Sequence, residues 1–94
     1  MDDDGFEWDE AKAAKNNIVH GVTFEVAREV FNDPFAVDRP DNRHDYGEQR
    51  ANITGMVYGR LLTVTYTMRG RKLRLIPARH AEPYESRIYH EKTR

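Results

Sequence analysis

Basic side chains that can bind a phosphate group are concentrated in the second half of this 94-residue chain. Residues 1–49 carry 5 Lys and Arg against 13 Asp and Glu, a formal charge of −8, whereas residues 50–94 carry 10 against 3, a formal charge of +7. The overall charge of −1 therefore conceals a strongly basic half. On a small domain, such a half predicts an anion-binding surface, and nucleic acid is the first candidate ligand.

Three arginines of the basic half are candidates for contact with a phosphodiester. Arg74 and Arg79 fall on or just after the last predicted strand, and Arg50 begins an earlier one. If the strands pair in antiparallel order, we expect these side chains to converge on one side of a sheet. Several guanidinium groups at one site bind phosphate through paired hydrogen bonds and stabilise negative charge that develops on it.

Cleavage of RNA by its own 2′-hydroxyl also requires a proton acceptor for that hydroxyl and a proton donor for the leaving 5′-oxygen. Four side chains are available as acid–base groups: His20, Glu48, Tyr66 and His80. We assign His20 as the first acid–base candidate and Glu48 as an alternative base. We expect His80 and Tyr66, together with Arg50, to contact RNA. The histidines are too widely spaced to form a recognisable metal-ligand motif, so we expect neither a metal nor a cofactor.

Each of these residues also has a structural interpretation. Arginines on an antiparallel sheet are often paired with nearby carboxylates, and such networks resemble functional clusters. His20 precedes Gly21, and a cationic side chain is favourable at the end of a helix. Glu85 is expected on a solvated helix face and Trp8 in the core.

The first half predicts a strand and then two helices. Residues 6–8 alternate apolar and polar side chains, as in a strand. Asp9 stands where a helix N-cap belongs, and Gly21 can close that helix in the left-handed conformation. Thr23 is the N-cap candidate of a second helix, which must stop before the proline at position 34.

A short strand is expected at residues 35–37 and a loop at residues 39–47, where turn-forming and charged residues are frequent. The rest of the chain predicts an antiparallel β-meander. Residues 62–68 alternate apolar side chains with threonines, a period of two. Pro77 cannot donate to a strand ladder, so it marks an edge or a strand end, and Pro83 suits the first turn of a final helix.

The predicted fold is therefore α+β: β-α-α followed by an antiparallel β-meander and a C-terminal helix, with the helices on one face of the sheet. We expect one domain over residues 1–94, with 1–5 and 91–94 mobile. The chain has no cysteine, which excludes disulfides and thiolate metal sites. An acidic N-terminus and the lack of a long apolar run favour the cytoplasm and argue against a membrane protein.

The two ends of the chain, taken together, resemble the BrnT toxins. The N-terminal pattern is FEWDE at residues 6–10 followed by Lys12, Asn17, His20-Gly21-Val22, Phe24, Ala27, Phe31 and Asp33-Pro34. The C-terminal pattern is Val64, Tyr66 and Thr67, then Arg74, Ile76, Ala78-Arg79, Ala81, Glu85 and Tyr89. The resemblance extends from about residue 6 to residue 90.

This resemblance implies a RelE-like fold and a ribonuclease toxin of a type II toxin–antitoxin module. It also implies a BrnA-like ribbon-helix-helix antitoxin as partner, a heterotetrameric complex, and binding of operator DNA through the antitoxin. Free toxin of this family inhibits translation by cleaving RNA.

Two positions depart from the family pattern. Val19 stands where the family usually has a lysine before His20-Gly21, and Pro77 stands where it usually has a serine in the sequence Ile-Ser-Ala-Arg. Both changes predict weakened activity, because a cation and a hydroxyl are lost beside candidate site residues. Two alternatives therefore stay open: an antitoxin-binding partner and operon co-repressor without cleavage activity, and an RNA-binding module without turnover.

Overall fold

A computed structural model describes the backbone of residues 2–3 and the whole of residues 5–41 and 47–92. The elements within these residues are, in chain order, β1 (Asp2–Asp3), β2 (Phe6–Glu7), α1 (Glu10–His20), α2 (Phe24–Ala27), a 3₁₀ helix (Arg28–Asn32), β3 (Val37–Asp41), β4 (Arg50–Val57), β5 (Arg60–Arg69), β6 (Lys72–His80) and α3 (Pro83–Lys92). This order confirms the predicted α+β fold.

The described strands form one mixed sheet in the order β1-β2-β6-β5-β4-β3. Strands β4 to β6 form the predicted antiparallel meander, to which β3 adds by antiparallel pairing with β4, while β2 pairs parallel with β6. The prediction of a strand at residues 35–37 and a loop from residue 39 was wrong, because β3 continues to Asp41 through pairing with β4. Residues 42–46 of that predicted loop lie outside the described residues.

The expected mobility of residues 1–5 and 91–94 stays a prediction. Residues 2–3 pair as β1 with β2, and residues 91–92 belong to α3. The remaining terminal residues, apart from Gly5, lie outside the described residues. Across the part of the chain that the structure describes, no helix has the length and apolar character needed to cross a membrane.

Helix α1 begins and ends where the sequence predicts. Asp9 is its N-cap and accepts a hydrogen bond from the backbone N–H of Lys12 at 3.0 Å. Gly21 closes the helix with a φ of 68°, and its N–H donates to the Asn17 carbonyl. This conformation favours glycine because a Cβ is strained there.

Asn16 joins α1 to the edge of β6. Its amide nitrogen donates to the Ala78 carbonyl at 2.9 Å, and its amide oxygen accepts from the Ala78 N–H at 3.0 Å. A second bond runs from the same nitrogen to the Val22 carbonyl at 2.9 Å. One buried side chain thus satisfies both backbone groups of Ala78, as a neighbouring strand would.

The apolar core lies between the sheet and the helical segment of residues 24–32. Phe24, Leu62 and Val64 are each at most 1% exposed. Trp8 is buried as predicted and packs edge to face on Phe24, with ring centroids 5.7 Å apart. Alternate residues of β5 supply the sheet side of this core, as the period-two pattern predicts.

Helix α3 packs on the opposite face of the sheet, so the prediction that all helices share one face was wrong. It contacts β3 and β4. Its Glu85 bonds to Arg79, the strand partner of Thr63, which alternates with Leu62 and Val64 and so points away from the apolar core. A row of threonines along a strand does not indicate whether a helix covers that face. The prediction therefore placed α3 on the wrong face of the sheet.

Pro77 lies within β6 and not at its end. The pairing of β5 with β6 shifts between Val64 and Tyr66, where Ile76 and Pro77 together oppose Thr65. This is a β-bulge, one of the positions in a sheet that tolerates proline. The alternative that Pro77 ends the strand was therefore wrong.

Candidate functional site

One face of the sheet carries arginines from four strands, and we call it the arginine face: Arg39, Arg50, Arg69, Arg74 and Arg79. Its composition follows from strand register, because directly paired residues of neighbouring antiparallel strands point to the same side. Arg74 pairs with Thr67, and Arg79 pairs with Thr63 on the same strand. The predicted site residues Arg50, Arg74 and Arg79 therefore share one face.

Buried hydroxyl and amide groups lie beneath these arginines. Asn52, Thr65 and Thr67 are each at most 7% exposed. Thr65 donates to the Asn52 amide oxygen at 2.5 Å, and Thr67 donates to the Gln49 carbonyl at 2.6 Å. Since these groups satisfy one another, the guanidinium groups above them are the part of the face that can meet a ligand.

At one end of the arginine face lies a small depression, which we call the basic cleft. Its polar lining consists of Asp9, Lys12, Glu48, Arg50, Arg69 and Arg74. Four of these side chains are cationic and two are anionic, so the cleft presents a net positive charge. A concave site with this charge favours an anionic ligand.

The arginines of the basic cleft each have a carboxylate partner. The Nε of Arg50 donates to Glu48 at 3.0 Å, and an Nη of Arg69 lies 3.8 Å from the other oxygen of Glu48. An Nη of Arg74 donates to Glu7 at 2.6 Å. The side chains of Arg50 and Arg74 remain 23% and 24% exposed. Ion pairs that reach solvent contribute little free energy, so a phosphate can compete for these guanidinium groups.

Sequence reasoning missed Lys12 as a member of this cleft. Lys12 belongs to the first turn of α1, which follows β2 almost directly. Glu7 on β2 pairs with Arg74 on β6, and this pairing brings the start of α1 next to Arg74. No local pattern reveals a parallel pairing between the two ends of the chain.

Arg79 lies on the same face but is held by α3. Its two Nη atoms bond to the two oxygens of Glu85 at 2.6 and 3.1 Å, and an Nη of Arg39 lies 3.0 Å from one of those oxygens. The Glu85 side chain is fully buried, so the expectation that it lies on a solvated face was wrong. Burial raises the pKa of Glu85, but hydrogen bonds from Arg79 and the Glu82 N–H outweigh burial and lower that pKa to about 2.

The structure does not bring the predicted histidines into the basic cleft. His20 is the last residue of α1, about 12 Å along the helix axis from Lys12. Its neighbour Gly21 lines a different depression with Leu62, and Leu62 is the strand partner of His80. His20 and His80 thus lie toward the other end of the sheet, and both are exposed.

Tyr66 lies on the opposite face of the sheet from the arginines. Its ring packs edge to face on Phe31, with centroids 5.1 Å apart, and its hydroxyl donates to Asp38 at 2.5 Å. Burial and this hydrogen bond raise the pKa of Tyr66. Its phenol is therefore a neutral group engaged with Asp38, outside the basic cleft.

Comparison with known families gives this arrangement a biochemical class. A family profile matches residues 8–85 of the chain, and that family is described as a ribonuclease toxin of a type II toxin–antitoxin system. This match covers most of the chain, and the protein belongs to the BrnT toxin family. No curated relative matches the chain at a significant level.

Proposed function

We propose that the basic cleft binds the RNA backbone and cleaves it, so that the protein is a metal-independent endoribonuclease toxin. One observation carries this proposal: Lys12, Glu48, Arg50 and Arg74 converge in one cleft of a chain from a ribonuclease toxin family. Guanidinium groups bind phosphate oxygens, and a carboxylate beside them can accept a proton.

The proposed reaction begins when the 2′-oxygen of a ribose attacks the neighbouring phosphorus. The 2′-hydroxyl gives its proton to Glu48, the bond from phosphorus to the 2′-oxygen forms, and the bond to the 5′-oxygen breaks. Lys12 gives a proton to the leaving 5′-oxygen. Arg50 and Arg74 stabilise the negative charge that develops on the phosphate oxygens. Side chains supply both proton transfers and the charge stabilisation, so the proposal requires no metal.

The other predicted site residues have less direct places in this proposal. Arg79 would bind phosphate only when Glu85 releases it. The predicted acid–base role of His20 and the RNA contacts of His80 and Tyr66 remain predictions, since these side chains lie away from the cleft. Glu48 is therefore the base that the geometry favours.

The proposal is tested by expressing variants in bacteria without antitoxin. The cleft variant carries Arg50→Ala and Arg74→Ala, and the matched control carries Arg60→Ala and Arg87→Ala, which remove the same charge at exposed positions. Wild type and control should inhibit growth, whereas the cleft variant should not. Purified cleft variant should cleave RNA about 10²- to 10³-fold more slowly. Equal growth inhibition by all three proteins would refute the proposed site.

The family also indicates how the activity is controlled. We infer that the partner is a BrnA-like ribbon-helix-helix antitoxin, that toxin and antitoxin form a heterotetramer in the cytoplasm, and that the complex binds operator DNA through the antitoxin. Free toxin would then inhibit translation by cleaving RNA. A short neighbouring reading frame that encodes a ribbon-helix-helix protein would support this partner.

A second candidate function is antitoxin binding and operon repression without cleavage. Exposed apolar residues at the end of α1 favour it, since Ile18 is 86% and Val19 61% exposed. Exposed apolar side chains are common features of protein-binding surfaces. Val19→Lys distinguishes the two functions: a gain of toxicity would show a site that lacks only this cation, whereas weaker antitoxin binding without toxicity would favour the second function.

A further inference from the structure

The carboxylate of Glu85 is surrounded by the kind of donors that bind a phosphate. The sheet supplies both Nη atoms of Arg79 and an Nη of Arg39, and Thr63 lies beside them as the strand partner of Arg79. These residues come from β6, β3 and β5, so the sheet fixes their relative positions. Paired arginine hydrogen bonds recognise the planar edge of a carboxylate or of a phosphate equally well.

Helix α3 is attached to the sheet mainly through polar groups. Its buried residues are Glu85 and Tyr89. Tyr89 donates to Asp33 at 2.7 Å near the C-terminal end of the helix. A helix that buries little apolar surface separates from its domain more readily than a core element. A buried ion pair is also weak evidence for stability, because the cost of desolvation offsets its attraction.

The Glu85 position continues the arginine face beyond the basic cleft. Thr67, the strand partner of Arg74, and Thr63, the strand partner of Arg79, are four residues apart on β5. Four residues of a strand span about 13 Å. Two different phosphates of one RNA strand, and not a single phosphate, would be needed to contact both positions.

We propose that Arg39, Thr63 and Arg79 form a second phosphate-binding position for RNA, which the Glu85 carboxylate of α3 occupies in the closed form. Displacement of Glu85 then extends the RNA-binding surface from the basic cleft to the region beneath α3. This inference rests on the proposed RNA-binding function. It gives Arg79 its predicted role as a phosphate ligand, but only in the open form.

The experiment measures binding of a single-stranded 2′-O-methyl RNA oligonucleotide, which cannot be cleaved by its 2′-oxygen. Glu85→Gln keeps the side-chain shape but removes the competing charge, and Tyr89→Phe removes the hydrogen bond to Asp33 that holds α3. Both variants should bind the oligonucleotide more tightly than wild type. The plot of log Kd against log salt should become steeper by about 0.7 if one phosphate contact is added.

Arg39→Gln provides the matched test of the site itself. In wild type this change should alter RNA binding little, because Arg39 is already paired with the Glu85 carboxylate. In the Glu85→Gln or Tyr89→Phe background it should reduce the gain in affinity and the gain in salt dependence, because one of the two arginines of the site is lost. Thermal unfolding verifies that each variant is folded. If Glu85→Gln does not fold, the binding measurement on Tyr89→Phe alone tests the inference.

The result that overturns the inference is an unchanged affinity and salt dependence in folded Glu85→Gln and Tyr89→Phe proteins. A gain that Arg39→Gln leaves undiminished would also overturn it. The variant with Arg50→Ala and Arg74→Ala separates this failure from failure of the proposed function. If that variant still binds the oligonucleotide as wild type does, the cleft itself is not the RNA site.

Discussion

The two faces of the sheet are stabilised by different kinds of interaction. Phe24, Leu62 and Val64 make one face a continuous apolar core, in which side chains of suitable size pack without directional bonds. On the other face, Arg74 pairs with Glu7 and Arg79 pairs with Glu85, partners that lie at specific distances and angles. The apolar face therefore supports the fold, whereas the arginine face holds side chains at fixed positions where a ligand can bind.

The largest effect expected on the apolar face comes from Leu62→Ala. Leu62 is 1% exposed, and truncation of such a side chain leaves a cavity that lowers the free energy of unfolding by about 2–5 kcal/mol. Urea denaturation measures the loss. RNA affinity per folded molecule should stay unchanged at low temperature. A loss of affinity in fully folded Leu62→Ala protein would show that the two faces are not independent.

Low pH should lower the free energy of unfolding, because it protonates Glu85 on the arginine face. The folded-state pKa of about 2 lies below the ordinary value of 4.5, so the charged carboxylate stabilises the fold above pH 4.5. That contribution is lost as the pH falls from 4.5 toward 2. Urea denaturation of wild type and Glu85→Gln at pH 7 and pH 3 should show the difference between them shrinking in acid. A difference that stays constant would contradict the proposed charge network.

The stability of the edge at which α1 meets the sheet should depend on the Asn16 side chain. Asn16→Ala leaves the N–H and carbonyl of Ala78 without their side-chain partner, which we expect to cost about 2 kcal/mol. The exposed neighbour Asn17 provides the control, and Asn17→Ala should have little effect. Similar losses of unfolding free energy in the two variants would argue against the strand-like role of Asn16.

The smallest effect concerns the cap of the helical segment that covers the apolar face. The Thr23 hydroxyl accepts a hydrogen bond from the Val26 N–H at 3.2 Å. Thr23→Ala should lower the free energy of unfolding by about 1 kcal/mol, whereas Thr23→Ser should restore most of it. Chemical denaturation of the three proteins measures the series, and RNA binding should be the same in all of them.

Local signals in the sequence predicted the elements well. The caps Asp9, Gly21 and Thr23 are confirmed, and so is Pro83 as the first residue of α3. These features depend on hydrogen bonds between residues a few positions apart, which a local pattern records.

The candidate site was predicted only in part, because its geometry depends on distant partners. The sequence identified Glu48, Arg50 and Arg74 as candidates, and the structure brings them together in the basic cleft. It did not identify Lys12, and it placed Glu85 on a solvated face. Lys12 meets Arg74 through long-range pairing, and Glu85 is buried because α3 packs on the sheet, and neither arrangement is recorded in a local pattern.

The amino-acid sequence by itself determined most of the elements, the alternation of β5 and the family, since each rests on residue types and their spacing. Only the tertiary structure decided that α3 lies on the arginine face, that Lys12 joins the basic cleft and that His20 lies away from it. Long-range strand pairing and side-chain ion pairs decide such placements, and many alternative partners are compatible with the same local pattern.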